Sequence, residues 1–221
     1  MARKTTPPAK PLLIFDFDGT LANTLETGIA IYNEIAPGYK LIPITISEAQ
    51  ELRKLNTRAL LDHLGISRIM AVKVGAHIKK LLHDRMEQVE IINGTDVAIR
   101  KLYDAGYRLG ILSSNSAGNI RTFMKRYELL DCFSFFEAGV SLFGKPQRIK
   151  KVLRKEKIGA EHAMYIGDET RDMEAARDSH VAGIAVCWGA NGREAMLTED
   201  PAYCIDQPKE LLTCADEFAA K

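Results

Sequence analysis

The chain predicts an α/β fold: a three-layer, doubly wound parallel sheet with a small helical domain inserted after the first strand. Three observations lead there. The run Leu12-Leu13-Ile14-Phe15 is continuously apolar and breaks into polar residues, the pattern of a parallel strand buried on both faces. From Ile91 onward, short apolar runs alternate with helical patterns, which is the rhythm of βα units. Between the two, residues 23–90 carry helical patterns and few strand-like runs, cut into short pieces by Pro37, Gly38, Pro43 and Gly65. The expected boundaries are 1–10 for a flexible tail, 11–22 and 91–221 for the α/β core, and 23–90 for the helical insert.

The first strand delivers Asp16 and Asp18, spaced so that strand alternation sends both side chains to one face, before Gly19-Thr20 ends the run. Two carboxylates at the end of a buried strand repel each other and lose hydration, which is costly unless a cation or proton is shared. A carboxylate is also a competent nucleophile towards phosphorus, and a second one nearby can protonate a leaving oxygen and then activate water. Magnesium suits such a pair, being a hard cation held by carboxylates, waters and phosphate. The plainer reading is that both aspartates cap a turn by accepting backbone N–H groups.

Length and composition bound the rest. At 221 residues the chain holds one sizeable α/β core with a small second unit. A net charge of +1 offers no field for a polyanion, so nucleic acid is not an expected partner. Cys132, Cys187, Cys204 and Cys214 lack C-x-x-C spacing and suit a reduced, cytoplasmic protein better than a disulfide scaffold or zinc site. No apolar run is long enough to span a membrane. The basic stretch Met1 to Lys10 resembles a solvated tail, not a signal peptide.

In the insert, Ser47 with Gln50 three residues on has the form of a capping box opening a helix. Thr57 to Leu64 is a second short segment, and Ile66 to Met86 contains one longer helix. An insert directly after a strand end that carries chemistry sits over it, where it covers substrate and excludes water. Arg53 and Arg58 are placed to pair with a substrate carboxylate; equally, Lys54, Arg58 and Arg68 form a solvated face. His63, His77 and His83 form no metal-ligand pattern.

Val97 to Ala105 reads as a helix ended by Gly106, and Tyr107 to Leu112 as a strand running into Ser113-Ser114-Asn115-Ser116. Hydroxyl and backbone N–H groups there, ahead of a helix over 118–127, serve either an oxyanion or the cap of that helix. A short strand over 133–138 leads to Phe143-Gly144-Lys145-Pro146. Pro146 opens a helix, and Lys145 is either a cation aimed at a phosphate and a nucleophile or one exposed lysine among many. Arg148, Lys150, Lys151 and Arg154 continue as a solvated helical face.

Ala163 to Ile166 is a further apolar strand, ending in Gly167-Asp168 with Asp172 four residues on, at the opening of the next helix. In an open α/β sheet the ligand crevice lies beyond the carboxyl ends of the strands, so acidic groups from two strand ends converge there. That concentration points to a divalent cation. Glu169 is open between support for the site and helix N-terminal charge. Val181 to Val186 and Tyr203 to Ile205 are later strands, Trp188 covers core or faces substrate, Asp206 accepts turn N–H groups, and Pro208 to Phe218 is the closing helix.

Taken in order, Asp16-x-Asp18-Gly19-Thr20, Ser114, Lys145 before Pro146, and Gly167-Asp168-x-x-x-Asp172 resemble the four motifs of the haloacid dehalogenase superfamily, over nearly the whole chain from Leu12 to about Leu212. The insert resembles the small helical cap of its phosphoglycolate-phosphatase-like members. The resemblance implies a Rossmann-like core, Asp16 as nucleophile, Asp18 as general acid and base, Ser114 as a donor to phosphate oxygen and Lys145 as charge stabiliser. It implies magnesium held by Asp16 and Asp168, by the carbonyl of Asp18, and by Asp172 directly or through water. Asn115, Gly19, Thr20 and Arg53 complete the expected substrate contacts. Ser114 is preferred to Ser113 because Asn115 follows it, as in the Ser-Asn or Thr-Asn pairs of the phosphatases. Members that cleave carbon–halogen bonds lack the second aspartate, which is present here. The expectation is therefore a magnesium-dependent phosphomonoesterase for a small phosphorylated metabolite, monomeric or homodimeric. The alternatives are a phosphosugar mutase, a phosphonate hydrolase, or a binding protein that keeps the fold.

Overall fold

Six parallel strands form one sheet among the described residues: β1 (Leu12–Phe15), β2 (Arg108–Leu112), β3 (Phe133–Glu137), β4 (Ala163–Gly167), β5 (Ala182–Val186) and β6 (Tyr203–Ile205). The structure is a computed structural model that describes residues 10–55, 57–139 and 144–221. The tail expected over 1–10, apart from Lys10, lies outside the described residues, as does Phe143. The spatial order is β3-β2-β1-β4-β5-β6, so β1 is central and the chain reverses its direction of travel between β1 and β4. That reversal opens a crevice beyond the carboxyl ends of these two strands. Phe15 pairs with Ile166 in the register, which brings residue 16 beside the end of β4.

Strand alternation splits the core into two layers. Leu13, Phe15, Leu109, Ile111, Met164, Ile166, Ile184 and Val186 face one side, packed under α5 (Thr95–Asp104), α6 (Ala117–Arg126) and α10 (Leu211–Ala219). Leu12, Ile14 and Tyr165 face the other, covered by α7 (Gly144–Glu156) and α8 (Thr170–Asp178). Each fully buried aliphatic or aromatic side chain of this kind contributes about 1.5–3 kcal/mol by leaving water. Gly110 is required in β2 because the Phe135 ring of β3 occupies the space where a Cβ would stand.

The insert folds as α1 (Thr24–Ile35), α2 (Ile46–Leu52), α3 (Thr57–His63) and α4 (Arg68–Asp84), around Tyr32, Ile35, Ala36, Ile66 and Val74. Its two ends are tied side by side: Asn23 N–H donates to Glu90 O at 2.8 Å and Ile92 N–H to Leu21 O at 2.9 Å. The capping box of α2 is Thr45 with Glu48, not Ser47 with Gln50. Glu48 N–H donates to Thr45 Oγ1 at 3.2 Å and Thr45 N–H to Glu48 Oε2 at 2.8 Å. The Thr45 pairing brings a carboxylate to the helix N-terminus, where Gln50 would bring only an amide. The remaining short helix of the core is α9 (Arg193–Leu197).

Candidate active site

Asp16 stands at the first position after β1, where its backbone N–H donates to Ile166 O at 2.8 Å and extends the β1–β4 pairing by one residue. Its Oδ1 accepts the N–H of Phe17 at 2.8 Å, leaving Oδ2 to face Lys145 Nζ at 2.8 Å. Gly19, at φ +76°, turns the chain so that Leu21 and Ala22 N–H both donate to Phe17 O. A side chain there would also collide with the Asp168 carboxylate.

Asp18 reaches the same cleft and accepts from Asn115 Nδ2 at 3.0 and 3.2 Å on its two oxygens. Loss of hydration, with the Asp16 carboxylate next, pushes Asp18 up to about 7 against the pull of the Asn115 amide. A carboxyl group with that affinity for a proton is suited to give and take one near neutral pH.

Asp168 and Asp172 come from the end of β4 and the first turn of α8, and both are buried. Asp168 Oδ1 accepts from Thr20 Oγ1 at 2.8 Å and Oδ2 from Ala190 N–H at 2.8 Å. Asp172 Oδ2 accepts the Glu169 N–H at 3.1 Å, and its Oδ1 is paired with Lys145. Burial, then the carboxylates of Glu169, Asp172 and Asp16, hold Asp168 well above the usual range. Burial raises Asp172 to about 6, with Lys145 acting the other way. Gly167 is required here, since a Cβ would strike Asp172.

Lys145 lies in the first turn of α7 instead of ahead of the helix, and its ammonium bridges Asp16 and Asp172 over the ring of the buried Tyr165, 5.4 Å from the centroid. Burial opposes its charge, but Asp16 and Asp172 keep it well above an ordinary lysine. Of the two serines after β2, Ser113 is buried and turns its Oγ to the N–H of Asn115 at 3.0 Å, while Ser114 is exposed and lines the cleft. The third, Ser116, is the N-cap of α6, accepting from Asn119 N–H at 3.2 Å.

The cleft measures about 620 Å³ and is lined by Asp16, Asp18, Ser114, Asn115, Lys145, Arg148 and Arg171 on the sheet side and by Gly75, Ile78, Lys79 and Leu82 of α4 above. Sequence reasoning missed Lys79, which stands on α4 among apolar residues and donates to Ser114 O. It also assigned Arg148 to a solvated face. Arg148 is buried and its Nη2 donates to Ser113 O at 3.0 Å and Glu137 O at 2.7 Å, tying the ends of β2 and β3 together. The i, i+4 spacing of Arg148 with the buried Val152 was the available signal.

Two expected substrate contacts have other work. Arg53 does not line the cleft; its Nε donates to Gly189 O at 2.8 Å and its Nη2 to Cys187 O at 2.6 Å, fastening the end of α2 to the loop after β5. Asn191 completes that fastening, donating to Leu55 O at 2.8 Å. Thr20 is buried and directs its hydroxyl to Asp168, not into the cleft. Asp206 accepts from Arg193 at 2.9 Å, while the turn N–H groups of 206 and 207 go to Glu210.

The model of the haloacid dehalogenase-like hydrolases matches residues 13–186. The chain belongs to the haloacid dehalogenase-like hydrolase family. Among curated relatives, a phosphoglycolate phosphatase of Synechococcus elongatus is 34% identical over 206 residues, covering 93% of this chain and 97% of that one. The pyrophosphatase PpaX of Listeria monocytogenes is 26% identical over 216 residues, covering 90% and 94%. A haloacid dehalogenase-like hydrolase structure from Streptococcus pneumoniae superposes with a TM-score of 0.73 at 19% identity, over 93% of this chain and 98% of that chain. CbbY of Rhodobacter sphaeroides, solved in complex with phosphate, gives 0.67 at 19% identity over 94% and 99%.

As a haloacid dehalogenase-like hydrolase, the chain calls for a divalent metal, and its donor set fits one. Asp16, Asp168 and Asp172 are buried and bring oxygens within 4.8 Å of one another. Among the described residues, Lys145 is the cation that pairs directly with two of the three. All-oxygen, carboxylate-rich coordination is what hard divalent ions take. Asp18 stands apart from this set with its side chain turned to Asn115. No helix among the described residues is long and apolar enough to cross a membrane.

Proposed function

We propose that the protein is a magnesium-dependent phosphomonoesterase acting on a small phosphorylated acid of the phosphoglycolate type. One observation carries the reading: the Asp16 carboxylate is held 2.8 Å from Lys145 Nζ, with the Asp18 carboxyl in the same cleft and Asp168 and Asp172 behind. Similarity to a phosphoglycolate phosphatase along almost the whole chain supports the substrate class.

In this reading Asp16 attacks phosphorus and the ester oxygen leaves with a proton from Asp18. Asp18, now a carboxylate, takes a proton from water, which hydrolyses the aspartyl-phosphate and returns Asp16. Ser114 and Lys145 offer donors to the phosphoryl oxygens, and Asn115 orients Asp18. Asp16, Asp168 and Asp172, with the carbonyl of Asp18, hold magnesium, which when bound supplies charge neutralisation for the phosphoryl group. Residues 23–90 act as the cap that keeps water from the cleft, and the fixed docking of Arg53 orients it. Four free cysteines accord with a cytoplasmic setting.

Phosphate release from phosphoglycolate, p-nitrophenyl phosphate and pyrophosphate, with magnesium and with EDTA, tests the proposal against Asp16→Asn. Magnesium-dependent release from the monoesters that disappears in the variant is expected. Release that survives in Asp16→Asn overturns the nucleophile, and pyrophosphate as the sole substrate overturns the class.

A further inference from the structure

The cap side of the cleft is one face of α4: Gly75, Ile78, Lys79 and Leu82 follow the i, i+3, i+4, i+7 spacing of a single helical stripe. Gly75 leaves open space, as nothing lies within 4 Å of where its Cβ would be. Ile78 and Leu82 are apolar, so Lys79 is the only charge on this stripe.

The other cations of the cleft are committed. Lys145 bridges Asp16 and Asp172, Arg171 is paired with Glu169, and Arg148 is spent on two carbonyls and Glu137. Lys79 donates to the neutral carbonyl of Ser114, and among the described residues it forms no ion pair. A partly buried ammonium that carries its charge into a cleft without a carboxylate partner is short of an anion. The carboxylates that act on it are those of Asp18 and Asp16 across the cleft. In the phosphomonoesterase reading Asp18 gives its proton to the departing oxygen, and Asp18 acts on Lys79 more strongly than Asp16 does, which sets Lys79, on the cap wall of the cleft, towards the leaving group.

We propose that Lys79 is a specificity-determining residue that binds a carboxylate on the departing alcohol. The assignment rests on the phosphomonoesterase reading and adds to it the group that separates acid esters from neutral ones. One ammonium between two apolar side chains matches a monoanion. A second phosphate would bring more charge than this stripe neutralises.

The test compares kcat/KM for phosphoglycolate with that for 2-hydroxyethyl phosphate, which replaces the carboxylate by a neutral hydroxymethyl group, in wild type, Lys79→Gln and Lys79→Arg. In Lys79→Gln the ratio of the two values is expected to fall about tenfold, the scale of one charge-assisted hydrogen bond, mainly through KM. Lys79→Arg is expected to recover part of the ratio. An unchanged ratio in an active, Asp16-dependent enzyme overturns the role of Lys79 and leaves the phosphomonoesterase standing. A loss confined to pyrophosphate overturns the carboxylate assignment. A wild type that hydrolyses neither ester overturns the underlying reading, and the inference with it.

Discussion

Asn115 Nδ2 donates to both oxygens of Asp18, at 3.0 and 3.2 Å, while its own Oδ1 accepts from Ser116 N–H at 2.8 Å and Asn119 Nδ2 at 3.1 Å. The amide is therefore locked from behind by α6 and presents a fixed donor to the general acid. Ser114, expected as a donor to phosphate oxygen, lines the cleft beside it, while Asn115, expected among the substrate contacts, reaches Asp18 from the end of the neighbouring strand.

Replacing Asn115 by Ala is expected to lower turnover of alkyl phosphates by tenfold or more, since a positioned general acid contributes about 10²–10⁴-fold. p-Nitrophenyl phosphate should suffer less, because nitrophenolate departs without a proton. A variant that slows both esters equally would mean that Asn115 serves the phosphoryl group instead of Asp18. Single-turnover rates on the two esters separate these outcomes.

Thr20 does for Asp168 what Asn115 does for Asp18. Its hydroxyl and the Ala190 N–H fix the two oxygens of Asp168, each at 2.8 Å. Groups that orient metal ligands from behind typically alter affinity by about 10–100-fold when lost. Thr20→Val keeps the volume of this buried position and removes the donor, so weaker magnesium binding by about that factor is expected, with little loss of fold. Calorimetric titration of the metal-free protein with magnesium reads it; an unchanged dissociation constant would detach Thr20 from the metal site.

These relationships show what a linear reading can reach. The strand ends were legible because buried parallel strands are continuously apolar, and an acidic residue at such an end stands out: hence Asp16 and Asp168. Lys145 and Asp172 were legible through their fixed offsets from Pro146 and Gly167. What escaped was contact between distant segments. Arg148 left only the weak signal of its i, i+4 spacing with Val152 on a basic helix, and nothing local in the sequence tells that Thr20 belongs to Asp168, 148 positions away, or that Lys79 hangs over Ser114. Arg53 was misread for the same reason, as a free guanidinium and a docked one have identical sequence signatures.

Arg53 therefore supplies the sharpest contrast with Lys79. Its two hydrogen bonds join the insert to the loop that also carries Ala190, the donor to Asp168, and the return bond from Gly192 N–H to Arg53 O at 2.7 Å closes the clasp. Arg53→Ala removes two charge-assisted hydrogen bonds, each worth about 1.5–3 kcal/mol. The expected result is faster amide hydrogen exchange over α2 and the 187–192 loop, together with a fall in kcat/KM that is the same for phosphoglycolate and 2-hydroxyethyl phosphate. Because the guanidinium is held by the carbonyls of Gly189 and Cys187 and Arg53 is not among the residues lining the cleft, the ratio between the two esters should stay at its wild-type value. A selective loss of phosphoglycolate, with hydrogen exchange unaltered, would return Arg53 to the role of carboxylate partner and remove the structural one.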